Sequence, residues 1–266
     1  MICFYRLLSA YCRLPLRGGH RLVAMFGDGN DKPRIIGNVT LPLDHSDLGQ
    51  RYIYYGLYEQ DFVAHLRRVL RPGDVFIDPG ANIGYISAVA ADVVGPTGRV
   101  LALEPSRICL ERIRTYLPQP NIDLLPMALS DACGSATFYD TPRVIARGFS
   151  CLAAYEEPED GVAYEVETVT VDDLCAREGL DRVRYLKLDV EGSELAAIKG
   201  ARRMLASRAI DYVMVETNFT DPSAIEIRDT MRSHGYSPFM ADWRGRLRPV
   251  DFGKTAERGD VVWSAL

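Results

Sequence analysis

Short and almost wholly apolar segments alternate with longer amphipathic segments along most of this chain. The segment "DVFIDPG" is followed by a helical pattern at residues 82–94, and "RVLALEP" by one at residues 106–117. The segments "RYLKLDV" and "IDYVMVE" are followed in the same way at residues 193–206 and 222–234. Strands that are apolar on both faces lie inside a mostly parallel sheet, with helices covering each side. The alternation therefore predicts an α/β fold.

The composition narrows the classes of function. The 266 residues are 47% hydrophobic and the net charge is −5, which disfavours a broad nucleic-acid-binding surface. No apolar run reaches the roughly 20 residues that a membrane-spanning helix needs. The 6 cysteines show no C-x-x-C spacing, which favours free thiols over disulfides or a metal site. We therefore expect a cytoplasmic protein without a nucleic-acid partner.

Residues 1–57 are expected to form an N-terminal extension, and residues 58–266 the main domain. The opening segment "MICFYRLLSAYCRLPLRGGHRL" mixes arginines with apolar residues. It is interpreted as an amphipathic helix packed on the domain, with a peripheral contact to the inner face of the membrane as the alternative. The segments "RIIGNVTLPLD" and "QRYIYYG" are interpreted as strands or extended pieces. Two further predicted strands, "SATFYD" and "YEVETVTV", indicate an inserted hairpin and lid at about residues 134–170.

A glycine turn joins the first apolar strand to its helix. Asp78 ends the strand, and Gly80, Asn82 and Gly84 follow in the pattern Asp-x-Gly-x-Asn-x-Gly. Gly80 permits a tight turn, and the amides of the next helix then face the crevice where ligands of open α/β sheets bind. The pattern lacks the second and third glycines of a dinucleotide-binding turn. An acid here suits a cationic nucleoside such as S-adenosylmethionine better than a phosphate.

Two further acids follow neighbouring strands. Glu104 ends the second strand, where a carboxylate can accept both hydroxyls of a ribose. Because NAD enzymes use the same device, Glu104 alone does not separate the two cofactors. Asp131 follows the third strand in "MALSDACG" and either accepts from an adenine amino group or belongs to a plain surface turn.

Several ordered segments resemble one known family. "GDVFIDPGANIGYIS", "VLALEPS", "ALSD", "VTVDDL" and "YLKLDVEGSELAAIKGA" are similar to the FkbM family of class I S-adenosylmethionine-dependent methyltransferases. The resemblance implies a Rossmann-like, mostly parallel, seven-stranded sheet with a C-terminal antiparallel hairpin. It also implies S-adenosylmethionine as the cofactor, and O-methylation of a hydroxyl on a sugar, glycan or polyketide-type metabolite.

The resemblance also implies cofactor-binding residues. With it, the predicted set is Glu59, Asp78, Gly80, Asn82, Gly84, Glu104, Pro105, Ser130, Asp131 and Asp189. Pro79 departs from the family, which usually has a small β-branched residue there. Proline fixes φ and removes an amide donor, so the turn is expected to change slightly while the pocket persists.

The segment "KLDVEGSE" supplies the predicted catalytic residues. Asp189 lies at the carboxyl edge of its strand, and Lys187, two residues earlier, shares its side of the strand. We expect Asp189 or Glu191 to accept the proton of an attacking hydroxyl, while Lys187 holds a carboxylate in position. Glu191 and Glu194 are predicted to share one face of the first turn of the next helix, where acids also simply stabilise the helix.

No metal is expected in this site. Asp189, Glu216 and Asn218 keep a divalent cation open as the alternative, because oxygen atoms are its usual ligands. Among the histidines, His45 is the one considered as a base, and His65 is expected to be solvated on a charged helix.

Two other functions remain open. A nicotinamide-dependent oxidoreductase would share Glu104 but would need the missing glycines, and an inactive protein could keep the fold without the activity. The acceptor, a small molecule or a glycan, is expected to contact residues 43–56, residues 143–164 and the C-terminal segment. An aromatic run there either stacks on a sugar or packs in the interior: Tyr52, Tyr54, Tyr55 and Tyr58. The sequence leaves the oligomeric state open, with a homodimer as one option.

Overall fold

A computed structural model describes residue 23 and residues 32–140, 151–152, 162–252 and 258–266. The strands are β1 (Lys32–Ile36), β2 (Val39–Leu43), β3 (Val75–Pro79), β4 (Arg99–Leu103), β5 (Ile122–Leu125), β6 (Met127–Leu129), β7 (Gly134–Asp140), β8 (Cys151–Leu152), β9 (Val162–Val169), β10 (Val183–Leu188), β11 (Ile210–Asn218), β12 (Ser237–Ala241), β13 (Leu247–Pro249) and β14 (Arg258–Ser264). The helices of these ranges are α1 (Leu48–Tyr55), α2 (Gln60–Val69), α3 (Tyr85–Val94), α4 (Arg107–Tyr116), α5 (Val171–Arg177), α6 (Glu194–Lys199), α7 (Arg202–Ala206) and α8 (Pro222–Ser233).

The main sheet has 8 strands in the order β13-β12-β14-β11-β10-β3-β4-β5. Strands β5, β4, β3, β10 and β11 run parallel, and β14 lies antiparallel between β11 and β12. The expected α/β fold with its antiparallel C-terminal end is therefore confirmed. The short strand β13, which pairs with β12, extends the expected sheet by one strand at its edge.

Alternate residues of the parallel strands bury opposite faces of the main sheet. Phe76 and Tyr185 pack in one core with helices α2 and α3, whereas the adjacent residues Ile77 and Leu186 pack in a second core with helices α5 to α8. Successive side chains of a strand point to opposite faces, so an apolar strand serves both cores at once. This double burial explains why the apolar runs of the sequence located the sheet.

The N-terminal segment departs from the sequence prediction in one element. The predicted strand at "RIIGNVTLPLD" is present as the hairpin of β1 and β2. The segment "QRYIYYG" forms helix α1 and not a strand, so that prediction was wrong. Asp47 starts the helix by accepting from the amide of Gln50, and Gly56 ends it with φ 78. The predicted helix within residues 1–22 lies outside the described residues.

The predicted helix at residues 193–206 is two short helices, α6 and α7. Gly200 lies between them, and a Cβ at this position would collide with the backbone oxygen of Ser130. The chain turns at this close approach, which a larger residue would not permit.

Strands β7, β8 and β9 of the predicted insertion form a second, 4-stranded sheet together with β6, in the order β6-β9-β7-β8. Strands β7 and β9 pair antiparallel from Gly134 opposite Thr168 to Asp140 opposite Val162. The predicted lid between them lies outside the described residues, apart from Cys151 and Leu152. Within the described ranges, no helix has the length and apolarity needed to cross a membrane.

Candidate active site

The predicted acids gather at one edge of the main sheet. Asp78 is the penultimate residue of β3, Glu104 directly follows β4, and Asp189 directly follows β10. Strands β10, β3 and β4 are neighbours and run parallel, so their carboxyl ends meet at the same edge. This is the edge at which open α/β sheets bind their ligands.

The glycine turn after β3 is shaped by close contacts. Gly80, Asn82 and Gly84 have φ values of 69°, 52° and 80°. A Cβ on Gly80 would lie 2.7 Å from the backbone oxygen of Asp189, and one on Gly84 would lie 2.6 Å from a methyl carbon of Leu117. Both glycines are therefore required by left-handed backbone and by packing, and Gly80 brings the turn against the end of β10.

Glu104 is held by backbone amides at the tip of β4. Its side chain is 5% exposed, and its two oxygens accept from the amides of Asn82 at 2.6 Å and Ser106 at 2.7 Å. Burial raises the pKa of Glu104 to about 7, although both amide bonds act in the opposite direction. Each carboxylate oxygen keeps a second lone pair, so the group can still accept two hydroxyls.

Asp78 is tied to the helix that follows it. One of its oxygens accepts from the hydroxyl of Ser87 in α3 at 2.6 Å, and the other is buried without a hydrogen-bond partner among the described residues. Burial raises the pKa of Asp78 against the attraction of Lys187. Ser87 was missed by the sequence analysis. The available signal was one serine among the mostly apolar residues at the start of α3.

Lys187 is a cation buried at the end of β10. It is 3% exposed, and its Nζ donates to Asp189 Oδ2 at 2.8 Å. Burial alone would lower the pKa of Lys187, but the attraction of Asp189, Glu59 and Asp78 outweighs it and holds that pKa well above its usual range. Lysine and its carboxylates thus form one charged cluster beside the glycine turn.

Glu59 reaches the same cluster from the start of α2. It is the N-terminal cap residue of this helix, with φ 43, and its Oε2 is buried without a partner in the described ranges. Burial raises the pKa of Glu59 to about 8, with Lys187 opposing. Lys187 therefore faces the acidic side chains of Glu59, Asp78 and Asp189.

Glu191 and Glu194 do not share a helix turn, contrary to the prediction. Glu191 precedes α6 in left-handed backbone with φ 49, and Gly192 follows with φ 94. Glu194 is the first residue of α6, and its Oε1 accepts from the amides of Val190 at 3.0 Å and Gly192 at 3.2 Å. Glu194 therefore stabilises the turn that precedes α6, and Glu191 lies in this turn and not in the helix.

Glu191 instead joins Asp189 and Glu216. One carboxylate oxygen from each residue lies within 4.8 Å of the others, an arrangement that could hold a metal ion. Asn218, weighed as a ligand from the sequence, accepts from the amide and hydroxyl of Thr220 at 3.1 and 2.7 Å. The absence of a metal stays a prediction.

The remaining predicted cofactor residues lie on the adjoining loops. Pro105 directly follows Glu104, and its carbonyl oxygen lies 3.3 Å from the hydroxyl oxygen of Tyr164. Ser130 follows β6, and its amide donates to Val169 of β9 at 3.0 Å. Asp131 is exposed and accepts from the hydroxyl of Ser130 at 3.3 Å, so its contact with an adenine stays a prediction.

The two histidines of the sequence analysis are both buried. His65 is 1% exposed, its Nδ1 lies 3.1 Å from the oxygen of Gly245, and burial lowers its pKa. The expectation that it is solvated was wrong, because the turn between β12 and β13 covers this face of α2. His45 packs edge-on against Tyr54 with ring centroids 4.4 Å apart.

The sheet topology and the acids at its carboxyl edge indicate the class of protein. A mostly parallel sheet with β14 antiparallel beside β11, and with acids at the carboxyl ends of β3, β4 and β10, is typical of Rossmann-like class I methyltransferases. A family model described as the methyltransferase FkbM domain matches residues 78–238. Since this match spans more than half of the chain, the chain belongs to the FkbM methyltransferase family.

Individual relatives are more distant. 31-O-demethyl-FK506 methyltransferase FkbM of Streptomyces tacrolimicus is 27% identical over 195 residues, which cover 63% of this chain and 74% of that protein. Hexuronic acid methyltransferase AglP of Haloferax volcanii is 27% identical over 160 residues, or 59% of this chain and 62% of that protein. A solved FkbM methyltransferase of Methylobacillus flagellatus has a TM-score of 0.44 and 16% identity, covering 81% of this chain and 54% of that one. This chain therefore spans less than two thirds of the second relative and about half of the solved protein.

Proposed function

We propose that the protein binds S-adenosylmethionine and transfers its methyl group to a hydroxyl of a sugar, glycan or polyketide-type metabolite. The observation that carries the proposal is Glu104, a buried carboxylate held by two amides beside the glycine turn. Its oxygens are arranged to accept the two hydroxyls of a ribose. Membership of the FkbM methyltransferase family supports a nucleoside that donates a methyl group as the ligand.

The cluster at the end of β10 supports a cationic ligand. Glu59, Asp78 and Asp189 face Lys187, and Glu59 and Asp78 each keep a buried oxygen without a hydrogen-bond partner among the described residues. Buried polar and charged groups need compensation. A ligand with a sulfonium and an ammonium group would supply it, whereas phosphate groups would be repelled. The residues present therefore fit S-adenosylmethionine, which supplies an activated methyl group when bound.

The protein's part in the transfer is to align an acceptor hydroxyl and to take its proton. Asp189 or Glu191 would accept this proton, and Lys187 would hold the Asp189 carboxylate in place through the 2.8 Å bond. Alignment supplies much of the rate in such displacements, and a base near the hydroxyl adds roughly 10²–10⁴-fold.

The acceptor class is supported by the names of relatives. One of them is named for a hexuronic acid, and another for the demethyl form of FK506. On this chain the acceptor would lie near residues 43–56, 143–164 and the C-terminal segment. Tyr55 is 5% exposed and contacts Tyr54 with ring centroids 5.2 Å apart, which favours packing over sugar stacking for Tyr55.

Calorimetry with S-adenosylhomocysteine tests the proposal. Wild type should bind it, and Glu104→Ala should abolish the heat because the ribose loses its acceptor. Glu111→Ala is the matched control, since Glu111 is an exposed acid of α4. Absence of binding by wild type, or equal binding by both variants, would reject the proposal. Multiple turnover of labelled S-adenosylmethionine with a glycan panel then separates an enzyme from an inactive protein, and a response to NADH would favour an oxidoreductase.

A further inference from the structure

The inserted hairpin is bonded to the loop that carries Glu104. Tyr164 of β9 donates its hydroxyl proton to Asp140 Oδ2 at 2.6 Å and accepts from the amide of Arg107 at 2.9 Å. Asp140 ends β7, and its other oxygen accepts from the hydroxyl of Ser106 at 2.9 Å. The carboxylate of Asp140 thus accepts from Tyr164 of the hairpin and from Ser106 at the start of α4.

The same serine leads directly to the cofactor carboxylate. The amide of Ser106 donates to Glu104 Oε1 at 2.7 Å, while its hydroxyl accepts from the amide of Cys109 at 3.2 Å. Ser106 is therefore fixed by Asp140 on one side and by the first turn of α4 on the other. The hydrogen-bond path runs from Tyr164 through Asp140 and Ser106 to Glu104.

Three members of this path are buried and Tyr164 is half-buried, so the loss of a hydrogen bond within the path is costly. Asp140 is 4% exposed, Ser106 2% and Glu104 5%. A buried carboxylate that loses a donor is costly, so Asp140 keeps both hydroxyls oriented toward it. Burial and the Asp140 bond raise the pKa of Tyr164, so its hydroxyl retains the proton that it donates.

A residue pair in the middle of the hairpin offers a comparison. Thr137 and Glu165 also face each other across β7 and β9, with a hydroxyl-to-carboxylate bond of 2.8 Å, but this pair is exposed. Among the described residues, neither Thr137 nor Glu165 has a side-chain hydrogen bond to the Glu104 loop. This pair therefore joins the two strands of the hairpin, whereas the Asp140 path joins the hairpin to the Glu104 loop.

We propose that Asp140 and Tyr164 are positioning residues for cofactor binding: they fix Ser106, and through it the orientation of the Glu104 carboxylate toward the ribose. The proposal rests on the proposed function, because it assigns the ribose to Glu104. It gives the insertion a role in the cofactor site. The effect is expected on nucleoside affinity and not on the chemical step, since neither residue touches the reacting atoms.

The test measures affinity for S-adenosylhomocysteine in Tyr164→Phe and Asp140→Asn. Tyr164→Phe removes only the hydroxyl and keeps the ring beneath Arg107, whose guanidinium lies 4.0 Å from its centroid. Loss of one buried hydrogen bond in the path should raise the Kd roughly three- to tenfold. The kcat at saturating cofactor should stay within about twofold of wild type. Thr137→Val and Glu165→Gln are the matched controls and should leave the Kd unchanged.

A second measurement separates positioning from general weakening. 5′-Methylthioadenosine and its 2′-deoxy analogue differ by one ribose hydroxyl, so their affinity ratio reports on the Glu104 contact. Tyr164→Phe and Asp140→Asn should reduce this ratio while the controls preserve it. Equal weakening of both ligands, or the same Kd as the controls, would overturn the positioning role with the proposed function intact. Failure of wild type to bind any of these nucleosides would instead reject the proposed function itself, and the positioning role with it.

Discussion

The tips of β4 and β10 both carry an acid, but the two acids are stabilised in different ways. Glu104 at the tip of β4 accepts from two backbone amides, and no cation of the described ranges is bonded to it. Asp189 at the tip of β10 is bonded to Lys187, in a cluster where Glu59 and Asp78 each keep a buried oxygen without a partner in the described residues. The first tip is arranged for hydrogen bonding to neutral hydroxyls. The second is arranged for a positive charge.

The largest expected effect is at the second tip. Lys187→Met removes the cation that is bonded to Asp189 and attracts Glu59 and Asp78. Breaking a buried ion pair in this way should lower the free energy of unfolding by about 3–5 kcal/mol and abolish turnover. Urea denaturation measures the loss.

Lys199→Met is the control for the lysine substitution. Lys199 bonds to Glu226 at 2.8 Å, but the side chains are 37% and 51% exposed. Its loss should cost less than about 1 kcal/mol. Equal losses in the two variants would show that the cluster at β10 is not held by its lysine.

Glu104 at the tip of β4 should make the free energy of unfolding depend on pH. Burial raises the pKa of Glu104 from 4.5 to about 7. Between these values the unfolded chain has lost a proton that the folded chain keeps, so the free energy of unfolding falls as the pH rises. The fall should reach about 3 kcal/mol, and Glu104→Gln should remove it. Denaturant titrations at several pH values measure this slope, with Glu111→Gln as the control. An unchanged slope in Glu104→Gln would contradict the assignment.

Gly80→Ala should disturb the contact between the glycine turn and the second tip. The added methyl group would meet the backbone oxygen of Asp189 at 2.7 Å, in addition to the strain of φ 69. Gly179→Ala has a similar positive φ of 66 but no atom within 4 Å of the added carbon. The difference in unfolding free energy between the two variants should be about 1–3 kcal/mol. Thermal denaturation compares the two variants. Equal unfolding free energies would mean that the close contact between Gly80 and Asp189 does not affect stability.

The smallest effect is expected from a chelator. The oxygens of Asp189, Glu191 and Glu216 could hold a metal, but the second tip is expected to gain its positive charge from the nucleoside. EDTA should therefore leave turnover within about twofold of its initial rate. Loss of activity that Mg²⁺ restores would show instead that a metal compensates these acids.

The parts of the fold that the sequence predicted are those in which one signal dominates. Strands buried on both faces must be apolar throughout, so β3, β4, β10 and β11 were located correctly. The segment "QRYIYYG" is short and aromatic, which suits a strand as well as a helix. The deciding feature was Asp47, whose side chain caps α1.

The residues of the site likewise divide into those that a local sequence pattern predicts and those that depend on tertiary packing. Acids after adjacent parallel strands were expected to meet, and Asp78, Glu104 and Asp189 lie at one edge. The contacts of Asp140 with Ser106 and Tyr164 join residues 34 and 24 positions apart. No local pattern predicts such pairs, because they depend on how the insertion packs against α4.

The most direct measurement is a crystal structure of the protein with S-adenosylhomocysteine. The account predicts the ribose hydroxyls on Glu104 and the amino-acid end of the ligand beside Gly80 and the Lys187 cluster. A nucleoside bound elsewhere, or an empty crevice above β3 and β4 at saturating ligand, would contradict it.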